Sequence, residues 1–439
     1  MSLHAALLLG SLVGALPPDK RPEPGGTEAV TSAPADRASV ESSTTLPREG
    51  ARGVRVSSES VAGGYDGQFA ASFRPSFELR AGTLELALGA RVTSGTDGVR
   101  KRDWDEASDW THLLRGFRAR GAIGDVEVGL RGGELTGLTF GHGALVRDYV
   151  NNLDLDHGRA AMGMIVEGPG FRTEALVDDF LAPHLALGRA GVEVFEHVLR
   201  FGVSGGADVS SPSAIAEAMG RRTTDAFGVP IATERGMGFL GADAEVVLGK
   251  PSEVEVAPYL DVVNLLGFGR AAHVGGRVRR DFTGGRFDAK AEWRFQSDDY
   301  LPGYVDFTYD VERYQSLTPG LAQLTKRAEL AAARGNVNGF RFEAGLRSRW
   351  IDFRAGVEDR PGEPRGFGKL SLPLGPYARI SGLLAYAGGP LGAADLRVSL
   401  SKRTYLVADY TRRLTVGEDG SYRPLWAAAA GVGLTIGTL

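Results

Sequence analysis

From about residue 65 onward the chain repeats one pattern: eight to twelve residues of apolar/polar alternation, then a cluster of Gly, Pro, Asp or Asn. A period of two is the signature of a strand with two chemically different faces. In 286–296 the odd positions are Phe287, Ala289, Ala291, Trp293 and Phe295, and the even ones are Arg286, Asp288, Lys290, Glu292, Arg294 and Gln296. In 340–350 Phe340, Phe342, Ala344, Leu346 and Trp350 oppose Arg341, Glu343, Arg347 and Arg349. Ile351, Phe353, Ala355 and Val357 then oppose Asp352, Arg354 and Glu358. The same reading makes strands of Leu84/Leu86/Leu88 against Glu85 and Arg91, and of Leu396/Val398/Leu400 against Asp395 and Arg397. It also makes one of Val305/Phe307/Tyr309/Val311 against Asp306, Asp310 and Glu312.

A soluble sandwich alternates too, and three further features separate the two cases. The strands run nearer ten residues than the roughly five or six of globular sheets. Charge fills the polar face so densely that a soluble chain would need a second sheet to cover its apolar faces. Trp293, Tyr300, Tyr304, Tyr309, Trp350, Tyr386 and Trp426 sit near strand ends, where an interfacial girdle would place them. In the last segment Trp426, Ala428, Ala430, Val432, Leu434 and Ile436 form one apolar face, opposite a face of small residues. An apolar exterior around a charged interior suits lipid, and residues 65–439 resemble a Gram-negative outer-membrane β-barrel of porin-like size. The resemblance implies an all-β, transmembrane antiparallel barrel in the cell outer membrane, surrounded by its lipid.

At about ten residues per strand plus turns, this segment holds roughly 16–18 strands, and closure by an even number favours about 18. Longer connections are expected at 94–110, 142–158, 208–235, 313–325, 359–366 and 413–424. The stretch 208–235 suits either a short helix folded inward as a constriction or a plain surface loop.

Ahead of the alternating region, residues 5–16 form the one continuous apolar stretch, too short for the roughly 20 residues of a spanning helix. It fits the core of a secretory signal cleaved after Ala15. Residues 16–64, rich in Pro, Ser, Thr, Glu and Arg, read as a disordered periplasmic tether, because they cannot bury enough apolar area to offset their ordering entropy. The chain has no cysteine, which excludes disulfides, thiolate metal sites and thiol catalysis. A net charge of -4 lacks the electrostatic footprint of a nucleic-acid binder.

The charge ladder is the candidate functional feature: Arg286, Asp288, Lys290, Glu292, Arg294, Arg341, Glu343, Arg347, Arg349, Asp352, Arg354 and Glu358, with Arg327, Glu329, Asp306, Asp310 and Glu312 between them. Positive and negative members nearly balance, which argues against strong charge selectivity. His142, Asp148, Asp154, Asp156 and His157 fall in one loop-like region; such groups can activate water or ligate a cation, yet Asp in turns more often bonds its own backbone. Gly267-Phe268-Gly269 precedes more alternating strand rather than a helix, so it is no dinucleotide fingerprint. No constellation identifies an enzyme, a cofactor or a metal. The expected function is a pore or conduit for hydrophilic solutes or an exported polymer. The alternative is a non-conducting barrel anchoring an envelope machine through periplasmic or surface proteins.

Overall fold

In the strand Val254–Leu265 burial alternates without a break, and it is inverted relative to a soluble protein. Val254, Val256, Leu260 and Val262 are exposed, whereas Glu255, Tyr259 and Asp261 are buried. This is a computed structural model, and it describes residues 52–438 apart from 66, 97, 102–103, 106, 108, 155–156, 196–197, 219, 333–337, 363 and 418. The expected signal (1–15) and most of the expected tether (16–51) lie outside the described residues.

Twenty wall strands, numbered here in chain order, close into one antiparallel barrel. They are β1 Gly53–Tyr65, β2 Gln68–Ala81, β3 Leu84–Gly89, β4 Leu114–Ile123, β5 Val126–Gly133, β6 Ala161–Gly168 and β7 Phe171–Val177. Next come β8 Leu185–Val194, β9 Leu199–Ile215, β10 Ala232–Val246, β11 Val254–Leu265, β12 Arg270–Phe282 and β13 Gly285–Gln296. The wall ends with β14 Gly339–Ser348, β15 Asp352–Glu358, β16 Arg365–Leu374, β17 Ala378–Tyr386, β18 Pro390–Ser399, β19 Thr404–Val416 and β20 Tyr422–Thr438. Each pairs with its chain neighbour, and β1 pairs with β20 from Val54↔Thr438 to Tyr65↔Ala427. Closure satisfies every edge, the condition for strands to cross lipid. No helix among the described residues is long and apolar enough to do so.

The count exceeds the expected 16–18, and the wall begins at Gly53 rather than at residue 65. The reason is chemical: β1 carries Ser58, Ser60 and Ala62 where other strands carry large apolar groups, so it reads as a polar tether until its partners are known. A second difference lies at 305–312, which forms no strand but a turn and a short helix, α1 Tyr309–Glu312. Both halves of its alternation are buried, because the segment lies inside the barrel.

Both termini of the wall lie at one end, where the connections are tight turns such as 82–83, 124–125, 283–284 and 349–351. All long connections, including 90–113, 134–160, 216–231 and 297–338, lie at the other end. In outer-membrane barrels short turns face the periplasm and long loops face outward. Exposed aromatics mark both rims: Phe195, Trp350 and Tyr377 at the short-turn end, and Trp293, Phe295, Phe340, Tyr386 and Trp426 toward the long-loop end. Tyr300, Tyr304 and Tyr309 do not belong to a girdle, since all three are buried in the lumen. The apolar face read in the last segment is outward-facing, with Trp426, Val432, Leu434 and Ile436 exposed. The chain is a transmembrane β-barrel of the outer-membrane type.

An arginine in the middle of the lipid face tests this orientation. Leu260→Arg should cost about 2–4 kcal/mol in reversible unfolding from lipid vesicles. An unchanged unfolding midpoint would mean that Leu260 does not face lipid.

Candidate functional site

The lumen is not an empty polar channel, for two long connections fold into it and carry the main apolar core with them. Leu138, Phe140, Leu145, Val146 and Tyr149 of loop 134–160 pack with Leu301, Tyr304, Val305 and Tyr309 of loop 297–338 against Leu185, Leu187, Phe239, Val263 and Leu265 of the wall. The two loops run side by side: Val305 N–H donates to Leu145 O at 3.0 Å and Arg147 N–H to Val305 O at 2.8 Å. Asn151 pins the base of the first loop, its Oδ1 accepting from Leu135 N at 2.8 Å and its amide donating to Arg159 O at 3.2 Å.

Burying backbone and charge in this plug requires partners, and they are supplied at three points. Asp306 and Glu312 share Lys326, whose Nζ lies 3.0 and 2.7 Å away, and both also meet Arg360 and Arg365. Burial alone would raise these two carboxyls. Lys326 and then Arg365 outweigh it at Asp306, and Arg365 and then Lys326 at Glu312, so both are held below the ordinary carboxylate range. At the second point Arg313 lies 3.1 Å from Asp208, which also accepts from Tyr309 OH. At the third, Asp310 accepts from Tyr149 OH and pairs with Arg159, each at 3.1 Å.

The ladder anticipated between 286 and 358 faces the lumen, with one exception. Glu292 is its hub: His273 Nδ1 lies at 3.0 Å, Tyr259 OH donates at 2.7 Å, Arg294 Nε at 2.8 Å, and Lys290 Nζ lies at 3.5 Å. Arg294 also reaches Glu358 at 3.0 Å, where Arg147 of the plug joins it. Arg341 and Arg354 both pair with Glu343 and approach Asp148 of the plug. Asp288 sits opposite Gly345, and Arg286 (with Asp281) and Arg347 (with Asp352) line the short-turn end. Arg349 is the exception: it lies in the turn after β14, its guanidinium over Trp350 at 4.4 Å, because the chain reverses there and alternation lapses. Arg327 and Glu329 sit on a second short helix, α2 Lys326–Ala331, not on a strand.

The plug is seated off-centre. The lumen-facing side chains of β11–β14 that meet the plug are sealed against it, with Arg294 0% exposed and Asp261 3%, whereas toward the short turns Arg286, Arg347, Asp352 and Arg354 keep 37%, 48%, 40% and 41% of their side-chain surface open. On the opposite wall Arg74 (β2), Arg115 (β4), Asp395 and Arg397 (β18) keep 27%, 37%, 39% and 52% of their side-chain surface open. Across this wall Arg74 forks onto Asp409 with two 3.0 Å bonds, Arg397 reaches Glu59 at 3.1 Å, and Tyr405 OH donates to Glu59 at 2.9 Å. These residues were not anticipated as a site. The alternation of Arg55, Ser57 and Glu59 within 53–65 is a sequence signal by which part of this wall could have been found.

The histidine and aspartate residues of 142–157 do not converge on one site, although Asp154 and His157 pair. His142 stacks on Tyr259 of β11 with ring centroids 3.8 Å apart, Asp148 turns to Arg341 and Arg354, and Asp154 meets His157 and Tyr422, each at 2.7 Å. Asp156 lies outside the described residues. Burial, with Lys290 and Arg189 beside it, holds the His142 imidazole well below its ordinary pKa. The stretch 208–235 supplies no inward helix among its described residues; 208–215 and 232–235 belong to β9 and β10, and between them Glu217–Ala218 pairs with Arg221–Arg222.

No protein-family model and no curated protein matches this sequence. Among solved structures, OccAB2 of Acinetobacter baumannii is 11% identical over 88% of this chain and 98% of its own, with a TM-score of 0.33. OpdL of Pseudomonas aeruginosa is 11% identical over 88% and 98%, at 0.36, and the outer membrane protein opdK of the same species 9% over 88% and 99%, at 0.32. The fold rests on barrel closure and inverted burial, not on these distant likenesses.

Removing Glu312 leaves three buried cations, Lys326, Arg360 and Arg365, with Asp306 alone to balance them, a loss of about 3–5 kcal/mol. Glu312→Ala should therefore expose 313–332 to protease in the folded barrel, and unchanged protection would contradict the role given to this cluster. Because both carboxyls are depressed, their stabilisation is complete above about pH 5 and is lost as pH falls through their lowered values. Protection of the same segment should hold at about pH 5 and fail only in stronger acid.

Proposed function

We propose that this barrel is a narrow outer-membrane pore for small hydrophilic solutes, conducting along the wall that the plug leaves uncovered. The observation that carries the reading is the asymmetry of the lumen. Arg115 lies toward the long-loop end, Arg74, Glu59 and Asp409 at mid-height with Asp395 opposite Asp409, and Arg397 below them toward the short turns. Their partly open side chains form a charged band on this wall, which the plug touches at the long-loop end, where Val311 and Tyr314 pack on Leu391, Leu414 and Tyr422. Fixed charges of both signs replace water around a polar solute, while the plug sets the width.

Passage of small solutes fits this geometry better than export of a polymer, because loops 134–160 and 297–338 occupy much of the cross-section. The anchoring alternative has no observation in its favour among the described residues.

Planar-bilayer recordings test the proposal. The native chain should show small, discrete conductance steps, and replacing 313–332 by a short Gly-Ser connector should enlarge them several-fold. A folded, inserted barrel that passes no current in either form would overturn it.

A further inference from the structure

We propose that His142, Asp243 and Asp261 form a binding site for one divalent first-row transition-metal ion, which fastens loop 134–160 to the barrel wall. The three side chains offer ligand atoms that all lie within 4.8 Å of one another. Donors on a tetrahedral metal with bonds of about 2.1 Å stand roughly 3.4 Å apart, so the three side chains must draw in by about 1 Å to reach coordination distance.

Two observations call for a cation here. Asp243 and Asp261 are directly opposed on β10 and β11, on the lumen face of both, and like charges in that position repel. Asp261 is 3% exposed, yet it has no hydrogen bond and no ion pair among the described residues, and its Oδ1 is fully buried and unpartnered. A carboxylate left so is costly unless something not yet counted meets it. Asp261 borders a cavity about the size of one water, lined also by His142, Asp243, Ser204 and Phe140.

The neighbours orient the ligands rather than satisfy Asp261. Arg189 forks onto both oxygens of Asp243, one bond being 2.9 Å, and each oxygen keeps a second lone pair for a metal. Lys290 is engaged by the carbonyl of His142 and by Glu292. Tyr259 fixes the imidazole plane by stacking with a 9° interplanar angle, and Glu245 faces Nε2 at 3.7 Å. Gly141 and Gly143, with φ of +55° and +82°, let the loop present His142; a Cβ on Gly141 would stand 2.5 Å from Arg189. One imidazole and two carboxylates suit zinc-like ions better than calcium or magnesium, which prefer oxygen alone.

Zinc is the probe. The full chain, folded in detergent and stripped by chelator, is dialysed against Zn2+ and its metal content measured, with Co2+ replacing Zn2+ for an absorption spectrum. The expected result is one tightly held ion per chain and a Co2+ spectrum distinct from the hydrated ion. Asp261→Asn and His142→Gln should weaken binding by more than roughly tenfold, while His184→Gln, in another loop, should not. Each variant's fold is checked by heat-modifiable gel migration. A folded native chain that holds no ion and leaves the Co2+ spectrum hydrated overturns the site, whatever the variants do. Equal affinity in folded Asp261→Asn overturns it as well; Asp261 would then be met by a proton or a water. Neither readout depends on whether the lumen conducts.

Discussion

Everything in this molecule follows from the requirement that a backbone crossing lipid satisfy its own hydrogen bonds. A sheet meets it only by closing, and closure here is made by β1 and β20, paired along twelve positions from Val54↔Thr438 to Tyr65↔Ala427. Once the sheet closes, each strand has one face toward lipid and one toward the lumen. Ordinary hydropathy then emerges as an average of two opposed surfaces. The alternation in Val254–Leu265 is its local expression, with valines and leucine outside and Glu255, Tyr259 and Asp261 inside.

The inward face creates the next problem, since a wall of arginines and carboxylates must be solvated or paired. Two solutions are used in one lumen. Along β10–β15 the charges that meet the plug are tied into networks around Glu292, Glu343 and Glu358 and are largely sealed beneath it, opening only toward the short turns at Arg286, Arg347 and Arg354. Along β1, β2, β18 and β19 they pair more loosely and remain partly open, as at Arg74 and Arg397. The plug brings a hydrophobic core of its own, so the barrel is held from within by apolar packing as well as by its ladder.

Most of the wall was legible in the sequence because lipid imposes a strict period of two. Strands such as 286–296 and 339–348, and the lumen placement of Lys290, Glu292, Arg294, Arg341 and Glu343, follow from parity alone. Parity fails where that constraint is absent. Residues 305–312 alternate, but their apolar members face the other loop and their carboxylates face wall cations, so the same pattern arises without a strand. Arg349 was misplaced because a turn resets parity, and β1 was missed because its outer face is built of Val, Ser and Ala. The opposition of Asp243 and Asp261 was not legible, since it depends on the register between two strands.

Because the chain has no cysteine, thiol labelling can show directly whether the plug seals one wall and leaves the other open. Single cysteines at Arg397 (open lumen wall), Ala257 (sealed lumen wall) and Val262 (lipid face) can be exposed to a charged, membrane-impermeant thiol reagent in vesicle-embedded protein. Rapid modification is expected at position 397 alone, with a change in conductance. Equal rates at 257 and 397 would show an unplugged lumen, and modification at 262 would contradict the orientation of the wall.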